Sequence, residues 1–269
     1  MQNITIRTLP LLSLLLLGGC GGSDSSSSSN YTNTQIAPRI TASQDQSGDV
    51  TTVAILQSSS GASLYLGDGD RLYASLNTPP ADLVNTDGDL FETGHELTTR
   101  VQIMESLGTE KYYANESTDD LNPPIRAYVG FERGNGEWVG QTSVVIPRDF
   151  TILSPASYSS ISRNTDDPIT LSWTNVDETT TMKLHSRVIC NNLTYLAEEA
   201  ISLGADTGTA EVSASDYFPA NAPTDINCHA VFTLERSSPE RPISEELGTA
   251  GGSSIIGIKQ KMVEFTSTP

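Results

Sequence analysis

The sequence is poor in basic, aromatic and helix-forming signals. Lys and Arg number 15 against 33 Asp and Glu, a formal net charge of −18, and aromatic residues make up 6% of the 269 positions. A chain this acidic repels nucleic acid phosphates, so no nucleic acid partner is expected. There is no Gly-x-Ser-x-Gly elbow, no phosphate-cradling glycine loop and no dinucleotide fingerprint. With no motif that carries chemistry, the chain is expected not to be an enzyme. Cysteine is also scarce, at three residues: Cys20, Cys190 and Cys228. The apolar run Leu9–Leu17 has nine residues, well short of the ~20 that a membrane-crossing helix needs.

What the N-terminus does carry is an address. Met1–Thr8 has Arg7 and no acid, the short apolar run follows, and small residues close it. That order describes a secretory signal. Leu17-Gly18-Gly19-Cys20 resembles the lipobox of bacterial lipoproteins. The resemblance implies a signal peptide over 1–19, cut before Cys20, and lipid modification of the Cys20 thiol. Gly21, where an Asp would retain such proteins in the inner membrane, implies the outer membrane. The membrane is then the first partner, met through the lipid anchor. Two or more acyl chains hold stably, since each buried methylene contributes about 0.8 kcal/mol. Ser23–Ser29 are serine except Asp24, so residues 20–37 read as a flexible Ser-rich linker behind the acylated cysteine.

The body reads as all-β. From Val50 onward Thr, Val, Ile, Ser and Tyr alternate with turn residues at short intervals, and no helical stripe develops. Strands are expected at Asp49–Leu56, Ala62–Leu66, Arg71–Leu76, Leu97–Met104, Arg126–Glu132 and Trp138–Ile146. In the second half they are expected at Asp149–Leu153, Ile169–Trp173, Met182–Cys190, Ala210–Ala214, Asn227–Glu235 and Ser254–Phe265. Gly67-Asp68-Gly69-Asp70 and Arg133-Gly134-Asn135-Gly136 read as hairpin turns, because Gly and Asn tolerate positive φ. Alternation breaks near Gln260, and a bulge is expected there. The division is a first β-sandwich domain over 38–147 and a second over 148–269.

Residues 148–174, RDFTILSPASYSSISRNTDDPITLSWT, resemble the opening of the immunoglobulin-like or fibronectin-type-III-like domain carried by many bacterial outer-membrane lipoproteins. The stretch near Cys228–Arg236 and the closing SSIIGIKQKMVEFTS resemble the ends of such domains. The resemblance covers roughly 148–267. It implies two tandem immunoglobulin-like sandwiches and a cell-envelope location, and brings no activity and no functional residues.

Outside the cytosol, Cys190 and Cys228 are expected to pair. If their strands are antiparallel neighbours, as the third and sixth strands of such a sandwich would be, both cysteines fall on the apolar face. Closing that loop would contribute about 4 kcal/mol on the chain-entropy model. In the same register His185 and His229 lie ~13 Å apart, too far to share a metal ion.

Other candidates are weak. Asn85, Asp87, Asp89 and Glu92 are the best oxygen donors for calcium, yet the spacing is not that of an EF-hand, and a plain acidic loop is the better explanation. No other cofactor is suggested. His95 beside Glu96 lacks a nucleophile elbow to face. Trp138, next to a turn, and Tyr112-Tyr113 are the best aromatics for stacking on a sugar, with packing the favoured reading of Trp138; Trp173 reads as core. The expected function is a non-enzymatic binding or scaffolding module, lipid-anchored at the cell envelope, whose partner is a protein or a glycan. The alternative is a carbohydrate-acting or calcium-dependent enzyme with its site in the first domain.

Overall fold

The computed structural model describes residues 26–45, 47–77, 94–96, 98–99, 111–117, 124–163, 168–190, 195–218, 225–242 and 253–269. Cys20 lies outside them, as do Asn85, Asp87, Asp89, Glu92 and most of the strand expected at Leu97–Met104. The chain is all-β with a sandwich-like arrangement, as its alternating sequence anticipates. The first half contains β1 (Ser26–Ser27), β2 (Ile36–Gln44), β3 (Asp49–Ser58), β4 (Ser63–Tyr65), β5 (Arg71–Leu76), β6 (Gly94–Glu96), β7 (Thr98–Thr99), β8 (Lys111–Ser117), β9 (Arg126–Glu132) and β10 (Trp138–Val145). The second contains β11 (Ile152–Ser154), β12 (Ser160–Ser162), β13 (Ile169–Trp173), β14 (Thr181–Cys190), β15 (Tyr195–Ala205), β16 (Thr209–Val212), the single turn of helix α1 (Ala214–Tyr217), β17 (Cys228–Ser237), β18 (Arg241–Pro242) and β19 (Ser254–Thr268).

Among the described residues these strands form three sheets. The largest runs β1-β4-β3-β2-β19-β17-β14-β15, with β7, β8, β12 and β18 attached to it. A four-stranded sheet, β10-β9-β5-β6, belongs to the first core. A three-stranded sheet, β11-β13-β16, belongs to the second. Leu56, Leu72, Val129, Phe131 and Val144 are buried in the first core; Leu171, Leu184, Phe232 and Phe265 are buried in the second. Period-two patterning explains both, since alternate residues of each strand turn to the same side.

The large sheet passes from one core to the other through β19. Its residues Ser254–Lys259 pair in parallel with Arg39–Gln44 of β2, while Ile258–Ser267 pair antiparallel with β17. No register shift interrupts β19 against β17, so the bulge expected near Gln260 is absent. The inward positions explain why the alternation looked broken. Ile255 enters the first core, and Val263 and Phe265 enter the second. Between them stand Gly257, Lys259 and Lys261, which face the seam between the cores. At Gly257 a Cβ would lie 2.5 Å from the Val145 carbonyl oxygen, so only glycine fits.

The seam is polar and buried. The Arg236 and Asp206 side chains are fully buried, with Nη2 and Oδ2 2.7 Å apart. Arg236 also donates to the carbonyls of Arg148 at 3.1 Å and Thr174 at 3.3 Å, and its guanidinium lies over the Phe150 ring. Trp173 Nε1 donates to Asp206 Oδ1 at 2.6 Å, which places Trp173 in the core as anticipated. Lys259, fully buried, donates to Gln44 Oε1 at 2.9 Å, and both Lys259 and Lys261 reach Asp149 Oδ1, at 3.3 and 2.9 Å. These pairings answer the desolvation that an isolated buried charge would suffer.

Cys190 and Cys228 face each other in the β14–β17 register and form the expected disulfide, with Cα atoms 4.3 Å apart. Both are buried beside Val188 and Ala230 in the second core.

Two further expectations are corrected. Within the expected linker 20–37, Ser26–Ala37 are packed: β1 pairs in parallel with β4, β2 begins at Ile36, and Ser28 is fully buried. Small serines can lie under the Gly67 turn, where a Cβ on residue 67 would meet Ser27 Oγ at 1.8 Å. The Gly67–Asp70 turn, for its part, closes no hairpin. It carries the chain from β4 in the large sheet to β5 in the four-stranded sheet. Strand β15 was not anticipated. Ala197–Ala200 reads Ala-Glu-Glu-Ala and is largely exposed at a sheet edge, so it carries neither β-propensity nor an apolar alternation.

Burial pushes the Asp149 carboxyl up, but the Lys261 and Lys259 ammonium groups outweigh it and hold it below the usual carboxylate range. The contribution of such a group is fully present above its unfolded pKa and is lost as pH falls through the folded one. Asp149→Asn is therefore expected to cost about 2 kcal/mol near neutrality, with the gap from wild type closing below about pH 4. Urea melts along a pH series measure it, and a gap that persists unchanged into acid would refute the assignment.

Candidate functional site

Two turns and the packed N-terminal segment meet at one end of the first sandwich. Asp68 and Gly69 both have positive φ, 51° and 84°, which bends the chain sharply back from Gly67 to Asp70. The second turn, Arg133–Gly136, joins β9 to β10 as a true hairpin, with Glu132 facing Trp138. The turns press against each other through glycine. A Cβ on Gly134 would lie 1.9 Å from the Asp68 carbonyl oxygen, and one on Gly69 would lie 3.3 Å from Gly134 Cα.

Asp70 ties the three segments together. Its Oδ2 accepts from Ser28 Oγ at 2.6 Å; its Oδ1 accepts from the Gly134 amide at 2.9 Å and lies 3.3 Å from Arg133 Nε. Ser28 Oγ in turn accepts from the Gly67 amide at 3.1 Å. Asp70 is thus a buried carboxylate with a partner for each oxygen, and the Arg133 charge beside it is compensated. Arg133 Nη2 donates to the Tyr31 carbonyl at 3.3 Å, while Nη1 is buried without a hydrogen-bond partner among the described residues.

Above this floor lies an open cleft of about 460 Å³. Ser29, Tyr31, Thr32 and Asn33 border it on the N-terminal side, with Asp68, Asn135 and Glu137 on the turn side. Its volume is within the usual range for small-ligand clefts. The walls offer hydroxyl, amide and carboxylate groups beside one aromatic ring. Among the described residues, neither Asp68 nor Glu137 has a cation at ion-pair distance.

A second groove of about 400 Å³ crosses the outer face of β15-β14-β17. There His185 Nε2 lies 3.2 Å from Glu235 and Arg187 Nε lies 3.1 Å from Glu198, beside the exposed Glu199. His185 faces Thr233 and His229 faces Ile189, so the two histidines are four residues out of step, as expected, and His229 meets Glu264 at 3.4 Å instead.

Of the residues singled out from sequence, Trp138 is half-buried, its ring 5.2 Å from that of Tyr73, and Tyr112 is buried in the first core rather than exposed for stacking. His95 lies on β6 opposite Ala74. Among the described residues no group of three His, Cys, Asp or Glu stands close enough to hold a metal ion. Sequence reasoning located both glycine turns but missed the Asp70–Arg133 centre. The signal for it was split between positions 63 residues apart, and neither turn names the other.

No family model and no curated protein matches the chain. Among solved structures, it is similar to the three N-terminal domains of the bacteriophage RB49 highly immunogenic outer capsid protein at 13% identity and a TM-score of 0.28, over 87% of this chain and 70% of that one. MtrC from Shewanella baltica OS185 gives 8% and 0.25, over 87% and 70%. Red sea bream transglutaminase gives 12% and 0.23, over 87% and 31%. At these TM-scores no functional argument follows from any of them.

The glycine contact yields a measurable contrast. Gly134→Ala must part the two turns and is expected to cost about 3 kcal/mol, whereas Gly136→Ala, with open space around its Cβ but φ of +82°, is expected to cost about 1 kcal/mol. Equal losses in thermal or urea melts would rule out the close approach at position 134.

Proposed function

We propose that the chain is a non-enzymatic binding module, held at the cell envelope by a lipid on Cys20, with the Asp70–Arg133 cleft as its binding surface. The observation that carries the envelope reading is the Cys190–Cys228 disulfide, since such bonds persist in oxidising compartments outside the cytosol. The signal-like N-terminus and the lipobox-like residues before Cys20 agree with it.

The cleft supports binding rather than catalysis. Both oxygens of Asp70 are committed to structural partners, so this carboxylate is not available as a base. Neither His185 nor His229 borders the cleft. What faces solvent is a set of donors and acceptors on a floor locked by glycine contacts, which suits a preformed site.

The packed N-terminus also sets a reach. Strand β1 begins at Ser26, six residues after Cys20. Six fully extended residues span at most about 21 Å. With Cys20 acylated, the cleft end of the body therefore stays close to the lipid surface.

Cys20→Ser is expected to move the protein from the membrane to the soluble fraction, and mass spectrometry of the native chain is expected to show residues 1–19 removed and Cys20 carrying acyl chains. An intact leader on unmodified native protein, or a Cys20→Ser chain that stays with the membrane, defeats the anchor.

A further inference from the structure

We infer that the cleft takes an uncharged, hydroxyl-rich ring, a neutral saccharide, presented at or near the membrane surface. This inference rests on the binding-module reading above and adds the ligand class. Three features on the page select it. First, the cleft is bordered by Tyr31, half-buried with its ring partly against the first core, and by hydroxyl, amide and carboxylate groups on Thr32, Asn135, Asp68 and Glu137. A sugar presents an apolar ring face for the aromatic and hydroxyls that donate to carboxylates and accept from amides. Second, the charge pattern argues against an anion. The lone guanidinium, that of Arg133, is already paired with Asp70, and two further carboxylates stand at the rim of a chain with net charge −18. A phosphate or sulfate would meet repulsion there. Third, a metal ion is poorly served, because Asp70 has no oxygen to spare and no cluster of three metal-ligating side chains stands among the described residues. A neutral polyol meets these three conditions, and carboxylate-accepted hydroxyls are among the stronger neutral-ligand contacts.

The saccharide can be free or lipid-linked, and the two sources share this chemistry. The short reach from Cys20 to Ser26 puts the cleft where a glycolipid head group could enter it, and equally where a soluble glycan passes.

The test takes the full-length chain in detergent and titrates it against neutral, amino-bearing and sulfated oligosaccharides. In a second arm, the Cys20→Ser chain is floated with phosphatidylcholine vesicles with and without a neutral glycolipid, so that the protein's own lipid does not carry it. Binding of at least one neutral saccharide is expected in one arm or the other; the free-sugar arm assigns a soluble source and the vesicle arm a lipid-linked one. The Asp68→Asn, Glu137→Gln double variant is expected to bind about tenfold or more weakly, at an unchanged melting temperature. Asn accepts the positive φ of residue 68, so the turn is retained. Four outcomes overturn the inference: no neutral saccharide bound in either arm, a preference for sulfated sugars, a preference for amino-bearing sugars, or undiminished affinity in the double variant. Cys20 acylation is read separately by mass. An unmodified chain that binds sugar would overturn the anchor and leave the ligand class standing; an acylated chain that binds none would do the reverse.

Discussion

Everything in this molecule is arranged around a charged layer between two apolar cores. Strand β19 crosses from one core to the other, and at the crossing the chain buries Lys259 and, on the neighbouring strand, Arg236. An unpaired charge there would cost several kcal/mol, so each cation needs a fixed partner. Asp206 supplies one and Asp149 the other; Gln44 and backbone carbonyls take further donors, while Arg236 Nε is buried without a hydrogen-bond partner among the described residues. These partners come from β2, from the segment before β11 and from the loop after β15. The layer consequently fixes how the halves of the chain meet in a way that an apolar contact, which is non-directional, would not.

The same logic recurs at the far end of the first core on a smaller scale. Asp70 is buried with Arg133, and its second oxygen holds Ser28. The glycines of two turns let the backbones approach to a distance that no side chain would allow. The result is a stiff floor under an open cleft, with the groups above it left to solvent. The disulfide secures the second core, where Cys190 and Cys228 sit among apolar neighbours. Binding surface and covalent staple are therefore in different halves, joined by the strand that carries the polar seam.

Much of the architecture was legible from residue types. Strands Arg71–Leu76, Arg126–Glu132 and Ile169–Trp173 have the boundaries that their alternation implies, because one face of each must be apolar to reach a core. The pairing of Cys190 with Cys228 followed from their being the two cysteines left outside the cytosol, and parity agreed, since both fall on the buried side of adjacent strands. Elements whose burial is partial or polar were harder to read. Strand β15 is an exposed edge, and β2 contains Pro38 and buries Gln44. In each case the residue types do not reveal the environment.

By itself, then, the sequence determined the all-β class, the position of most strands and the two glycine turns, which follow from local periodicity and backbone sterics, and the partner of each body cysteine, which follows from their count outside the cytosol. Only the tertiary structure decided that β19 serves both cores, that Lys259 is a buried residue, that the serines after position 25 are packed, and that Asp70 and Arg133 converge. Those outcomes depend on which distant segments share a space. A lysine reads as a surface residue until its carboxylate partner, 110 positions away, is placed beside it.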